Sequence, residues 1–301
     1  MPASRFIPYL LLLIAMLCWA GNYVVGRAVQ GQIPPIMLSF LRTFVAVVLI
    51  TPFTVMLLKQ QWQLIVTHIK ILLLLGILGV AGFNSILYMG LQTTTVTNAA
   101  LLASASPMII LLFSFLLLKI KPNRYQIIGV ILSFFGVVII VSQADWSVLT
   151  HFALTRGDLW VLLAVVVWSL YSVLLRWRPT ELHSLTFLSI TIMIGFIALI
   201  PFALGSLIYS PAWTWSPAVM GSVLYTGIFP LLIAYICWNQ AIQDIGANRA
   251  GQFLHLIPVF ATSLSILFLN ETMQHYHLVG IAFIAMGILS ATVVKNKSLY
   301  Q

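Results

Sequence analysis

Trp19-Ala-Gly-Asn-Tyr-Val-Val-Gly-Arg27 and Trp168-Ser-Leu-Tyr-Ser-Val-Leu-Leu-Arg176 decide the fold, because they are one place in the chain met twice. A shift of 149 lays Trp19 on Trp168, Arg27 on Arg176 and Pro52-Phe53 on Pro201-Phe202. From the third apolar run onward the shift is 151. Gly76 then meets Gly227, Ala99 Ala250, Pro107 Pro258, Ser114 Ser265, Tyr125 Tyr276, Gly129 Gly280 and Gly136 Gly287. Coincident Trp, Pro and Gly are harder to ascribe to apolar composition than coincident Leu. Each copy holds five apolar runs, and an odd number of spans forces the second copy to enter a membrane inverted. Inverted repeats are a common plan of secondary transporters, with the substrate site near the midplane between the copies.

Composition agrees. Of 301 residues 61% are apolar and 6% charged, whereas a soluble domain carries about a quarter charged. Spans are predicted near 7–29, 36–58, 70–91, 97–118 and 124–142, then 157–177, 184–208, 217–243, 248–269 and 277–294. The expected fold is an all-α integral membrane protein of ten transmembrane helices, built from two inverted five-helix repeats, residues 1–142 and 157–301. The runs are continuously apolar, which disfavours the alternating strands of a membrane barrel. The first run, from Phe6 to Val29, ends in no small-residue cleavage site and reads as an uncleaved helix. Cys18 and Cys237 lie inside apolar runs and read as small packing residues.

Lys and Arg set the orientation. With a cytoplasmic N-terminus the inner side holds Arg5, Lys59, Lys70, Lys119, Lys121, Arg124, Arg176, Arg178, Arg249, Lys295 and Lys297. The outer side holds only Arg27 and Arg156, and Arg42 lies within a span. Eleven against two puts both termini in the cytoplasm. The net charge of +9 is therefore a topology signal, and no nucleic-acid partner is implied. The connection from Ser142 to Arg156, with Asp145 and His151, joins the repeats. The chain has no Gly-rich phosphate loop, which argues against a primary pump with its own nucleotide site.

Leu17-Cys-Trp-Ala-Gly-Asn-Tyr-Val-Val-Gly-Arg27, Ser39-Phe-Leu-Arg42 with Ala46, and Pro258 through Leu269-Asn270-Glu271 to Gly280 and Gly287 resemble the drug/metabolite transporter superfamily, in particular its ten-helix EamA-like members. The first copy departs from the last of these patterns, with Ile120 where Glu271 stands in the second. The resemblance spans nearly the whole chain. It implies a basket of helices around a central cavity open alternately to each side, with the fourth and fifth helices of each repeat as rim and support. It implies export of amino acids, their analogues or other metabolites, and it does not select among them.

Ten residues are candidates for substrate binding. Trp19 and Trp168 lie about twelve residues into their spans, near the midplane at 1.5 Å per residue; they suit apolar cavity walls, or helix packing with the indole N–H bonded to a neighbour. Asn22, Asn84, Tyr171, Tyr235, Asn239 and Gln252 put polar groups in the membrane, with Asn84 paired to Tyr235 by the register. Each alone reads as helix–helix glue; as a set they suit a solvated cavity. Arg42 either snorkels outward or clamps a carboxylate or phosphate. His255 is the one intramembrane group whose unperturbed pKa is near neutral, and reads as a packing residue, a substrate ligand or a proton carrier. Pro107 and Pro258 permit a bend or a hinge. His275 and His277 make a poor metal pair and read as solvated interface. No metal and no cofactor is implied, and no His/Asp/Glu cluster of an integral-membrane enzyme is visible.

The expected activity is secondary transport, in a bacterial-type inner membrane, of a small amphipathic metabolite such as an amino acid, outward by alternating access. A flippase for a lipid-linked carrier is the alternative. The partners are a small-molecule substrate and the lipid bilayer. A homodimer is compatible with the sequence, which does not fix the oligomer.

Overall fold

The apolar runs fold as helices in a computed structural model that describes residues 6–145, 155–210, 212–269 and 273–293. Among these residues every regular element is helical. The first half holds α1 (Ile7–Ala28), α2 (Pro35–Gln60), α3 (Trp62–Thr67) and α4 (Ile69–Leu75). A π-helical segment, Gly76–Gly82, follows, then α5 (Phe83–Gly90), α6 (Val96–Ala103), α7 (Ser106–Leu118) and α8 (Arg124–Val141). The second half holds α9 (Arg156–Leu174), a 3₁₀ turn (Leu175–Trp177), α10 (Ser184–Tyr209), α11 (Pro217–Thr226) and a second π segment, Gly227–Ile233. It continues with α12 (Ala234–Ile245), α13 (Ala247–Ala250), a 3₁₀ stretch (Gly251–His255), α14 (Leu256–Leu269) and α15 (His275–Val293).

Eight described stretches are long and apolar enough to cross a membrane, the last of them Pro217–Ile245. The stretch from Ala247 to Leu269 is broken by its 3₁₀ segment, so the expected ninth span is not one continuous helix. Pro107 does not bend a continuous helix either; it stands in the first turn of α7, just after the break at Ser104 and Ala105, where its missing N–H costs nothing. Arg5, His151, Lys295, Lys297 and the pair Asn270-Glu271 lie outside the described residues. His277 corrects an expectation: it is buried, its Nδ1 accepts from the Gln274 N–H at 3.1 Å, and it packs on Tyr276.

Local sequence explains the helix ends. Asn123 and Thr155 open α8 and α9 with capping boxes, closed by Gln126 and Asp158. Ser216 caps α11, with Pro217 at its first position. The two π segments start 151 residues apart and make matching contacts. A Cβ on Gly76 would lie 2.9 Å from the Thr191 carbonyl oxygen, and one on Gly227 would lie 2.7 Å from that of Arg42. Thr191 and Arg42 are themselves 149 apart.

α8 and α15 cross antiparallel through four glycines. A Cβ on Gly129 would lie 2.5 Å from the Gly287 carbonyl oxygen, and one on Gly136 would lie 2.6 Å from that of Gly280. Any side chain there would drive the backbones apart. This pair makes a rigid flank, and the core lies between α1, α5, α9 and α12.

Candidate functional site

Six aromatic rings from four helices close the centre. Trp19 of α1 meets Trp168 of α9 edge to face at 4.9 Å, and Trp238 of α12 at 5.2 Å. Trp168 also contacts Phe83 of α5 at 4.8 Å, Tyr171 at 5.2 Å, Tyr235 at 5.5 Å and Trp238 at 5.6 Å. Edge and tilted pairs of this kind are worth ~0.5–1.5 kcal/mol each beyond burial. The cavity left among Trp19, Asn22, Phe83, Trp168 and Ile257 is only about 20 Å³. The expected open space at the midplane is thus filled, because the rings that would wall it touch each other. Trp19 Nε1 donates to the Pro230 carbonyl at 3.0 Å, so its indole also bridges the halves.

Arg42 neither snorkels nor stands free. It is 1% exposed. Nε donates to the Thr226 carbonyl at 3.1 Å, and Nη1 to Tyr88 Oη at 2.8 Å and to Asn84 Oδ1. That carbonyl caps the start of the Gly227–Ile233 π segment, and Pro230, one turn on, has no N–H to compete for it. Tyr88 Oη donates onward to Asn22 Oδ1 at 2.7 Å. Asn84 Nδ2 donates to Tyr235 Oη at 3.3 Å, and Tyr235 Oη to the Gly79 carbonyl. In this conformation neutral groups occupy most of the Arg42 fork, and only Nη2 lacks an acceptor.

Tyr171 Oη donates to Asn239 Oδ1 at 2.9 Å. Asn22 and Tyr171 share a register position, as do Tyr88 and Asn239, so this bond is the Tyr88–Asn22 bond with residue types exchanged. Gln252 stands apart: its Nε2 donates to the Gln126 carbonyl at 3.3 Å, on the flank of α8. His255 is fully buried, with Nε2 2.9 Å from the carbonyl oxygen of Ser104, its own register mate. Eight of the ten predicted residues thus form one connected centre, and Gln252 and His255 pack outside it. Among the described residues no group of three His, Cys, Asp or Glu side chains could hold a metal.

Sequence reasoning missed Phe83, Tyr88 and Trp238. Tyr88 was legible as the residue one turn beyond Asn84 on the same face. Trp238 carried no signal, since its register counterpart is Leu87.

The larger cavity, about 470 Å³, lies at the end where α7, α9 and α12 finish, and Ser114, Gln126, Arg176, Arg178, Ile242 and Arg249 are among its lining. The opposite end is sealed. Arg27 Nη1 donates to the Leu91 carbonyl at 2.6 Å, and Gln30 Nε2 to the Gln92 carbonyl at 2.7 Å. Thr94 Oγ1 donates to Asp158, a fully buried carboxylate that also accepts from the Thr155 N–H at 2.7 Å. The arrangement offers a basic cavity, an aromatic barrier and a hydrogen-bonded seal, in that order across the molecule.

Comparison with known proteins agrees with this architecture. The model of the EamA-like transporter family matches residues 6–142 and 155–293. The chain is 30% identical over 295 residues to the uncharacterized transporter YetK of Bacillus subtilis, covering 96% of this chain and 87% of YetK. It is 27% identical over 295 residues to an uncharacterized transporter of Archaeoglobus fulgidus, covering 96% and 98%. A solved crystal structure of another protein superimposes with a TM-score of 0.75 over 95% of this chain and 96% of that one; at 20% identity this is a likeness of fold alone.

Proposed function

The chain belongs to the EamA-like transporter family, and from that premise we propose that this multi-pass membrane protein is a secondary carrier exporting a small amphipathic metabolite, such as an amino acid or analogue. It works by alternating access in an inner membrane, with both termini cytoplasmic, as ten helices in two inverted five-helix repeats. The observation that carries the reading is that register mates touch each other: Trp19 with Trp168, Asn84 with Tyr235 and Ser104 with His255. Contacts between equivalent residues are what a two-fold axis relating two copies would produce, and so support that reading. The glycine crossing of α8 and α15 obeys the same exchange. A cavity at one end with a seal at the other supports a carrier caught open to a single side. The central aromatics would hold the apolar part of the substrate once they part, and Asn22, Asn84, Asn239 and Arg42 would orient its polar end.

The test is uptake of labelled amino acids by inside-out vesicles, where export is read as uptake. Saturable accumulation is expected. Trp19→Ala and Trp168→Ala should lower it by more than they lower protein abundance in the membrane. If both variants transport normally, the aromatic centre is packing and the site lies elsewhere.

A further inference from the structure

Three guanidinium groups surround the 470 Å³ cavity, and among the described residues no carboxylate lines it. Arg178 is 5% exposed and is held by neutral acceptors. These are the Leu182 carbonyl at 3.3 Å and Ser184 Oγ at 3.1 Å. With the Gln243 amide turned to satisfy both groups, its oxygen accepts from Nη1 at 2.7 Å and Nε at 3.1 Å. The Phe187 ring lies 4.4 Å from the guanidinium carbon. Such partners fix the position of the charge without cancelling it. Burial pushes the Arg178 pKa down to about 10, which leaves it cationic at neutral pH. Arg176, exposed, and Arg249, half-buried, add to the same wall. The carboxylates nearest in sequence, Glu181 and Asp244, are exposed and outside the lining, and Asp244 accepts from Gln240 at 3.0 Å. A concavity of one charge sign raises the local concentration of solutes of the other sign.

Beyond the inner end of the cavity, outside its present lining, lie two further donors. Ile242 lines the cavity, and Trp238 and Asn239 lie one turn deeper along α12, on the same side of the helix. Trp238 Nε1 and Asn239 Nδ2 are buried and have no acceptor. A buried N–H left unpaired is destabilising, and both groups can only donate. Charge in the wall and vacant donors beyond it ask for the same partner, oxygen acceptors that carry negative charge.

We propose that this cavity binds a small organic anion, whose carboxylate or phosphate oxygens are drawn in by Arg176 and Arg178 and received by the N–H groups of Trp238 and Asn239. The proposal rests on the transport reading and narrows its substrate class to anions.

Purified full-length protein in detergent is titrated with benzoate, phenyl phosphate and the neutral isostere benzamide, reading thermal stabilisation and tryptophan fluorescence. At least one anion should bind about tenfold or more tighter than benzamide, the scale of one hydrogen bond to a charged group. The preference should weaken as salt rises. It should shrink in Arg176→Gln, and in Trp238→Phe, which keeps a ring and removes the donor. Equal binding of benzamide, or a preference unchanged in both variants, overturns the proposal. Phosphatidylglycerol added to the micelles separates the sources of the anion. If it displaces phenyl phosphate and free glycerol phosphate does not, the ligand is a lipid headgroup; the reverse assigns a soluble anion. Flux in proteoliposomes keeps the two readings apart. Anion binding without flux of any solute defeats the carrier reading alone, and flux of neutral solutes without anion preference defeats this one.

Discussion

At one end of the bundle Arg27 reaches the Leu91 carbonyl, whereas at the other its register counterpart, Arg176, stands exposed in the cavity wall, and Ile242, the counterpart of Leu91, lines the same cavity. The same positions therefore stand in two different arrangements within one molecule. Part of the difference is written in side chains. Asp158 and Thr94 bond across the sealed end, and their counterparts at the open end are Tyr9 and Ile245, which cannot repeat that bond. Gly157 and Gly90 let backbones meet at the seal, and their counterparts are Pro8 and Ala241. The comparison teaches that the register conserves the positions of contact while the chemistry at each end sets how firmly it shuts.

The largest effect is expected where the seal depends on a missing side chain. A Cβ on Gly157 would lie 2.5 Å from the Gly90 carbonyl oxygen and 2.7 Å from the Thr94 nitrogen. Both are backbone atoms that cannot rotate away. Gly157→Leu should hold that end open, at a packing cost of about 1–3 kcal/mol or more. Transport should be abolished, while a cysteine placed at Leu91, which is buried in the seal, should become reactive towards an impermeant thiol reagent. Gly221→Leu is the control, because a Cβ there meets nothing within 4 Å. Normal transport by Gly157→Leu would break the comparison, since the end could then not be a moving seal.

A smaller effect should follow from charge. Asp158→Asn keeps the shape but loses an anionic acceptor for Thr94 Oγ1 and the Thr155 N–H, contacts worth about 1–3 kcal/mol together. Labelling at the outer end should rise several-fold. The same should hold for Arg27→Gln, and Arg176→Gln should leave outer labelling unchanged, because it acts at the end already open. Equal labelling in all three would mean that the ends do not differ in the way their contacts imply.

Much of this was legible in sequence, and the unread part has a physical cause. Apolar runs and coincident Trp, Gly and Pro marked the helices and the two positions that meet at the centre, Trp19 and Trp168. The depth of a residue along a helix follows from rise per residue, so that meeting could be anticipated. Which rings fill the space between them could not, because Phe83 and Trp238 break the register and enter by packing alone. Arg42 reads in the sequence either as a snorkelling cation or as a clamp for an anion. Its partners lie far off in the chain, above all the Thr226 carbonyl, and no local pattern announces such a pairing. The open end was visible only as a count of basic residues, which gave an orientation and no cavity.

The smallest effect is expected at His255, which lies on the contact between register mates and belongs to neither end. Its Nε2 faces the Ser104 carbonyl at 2.9 Å, and a carbonyl only accepts, so Nε2 carries the hydrogen. The ring is fully buried, and among the described residues Nδ1 has no hydrogen-bond partner to hand it a proton. Gln offers an amide N–H for the same carbonyl and does not titrate near neutral pH. His255→Gln should therefore keep the response of transport to an imposed pH gradient, with a stability change of no more than about 1 kcal/mol, the worth of one rearranged hydrogen bond. Flux is measured in proteoliposomes with and without the gradient, beside the melting temperature. If the variant keeps downhill exchange but loses the gradient response, His255 carries the proton. The asymmetry of the two ends would then be governed from the axis between them, and the contacts at each end would be its consequence.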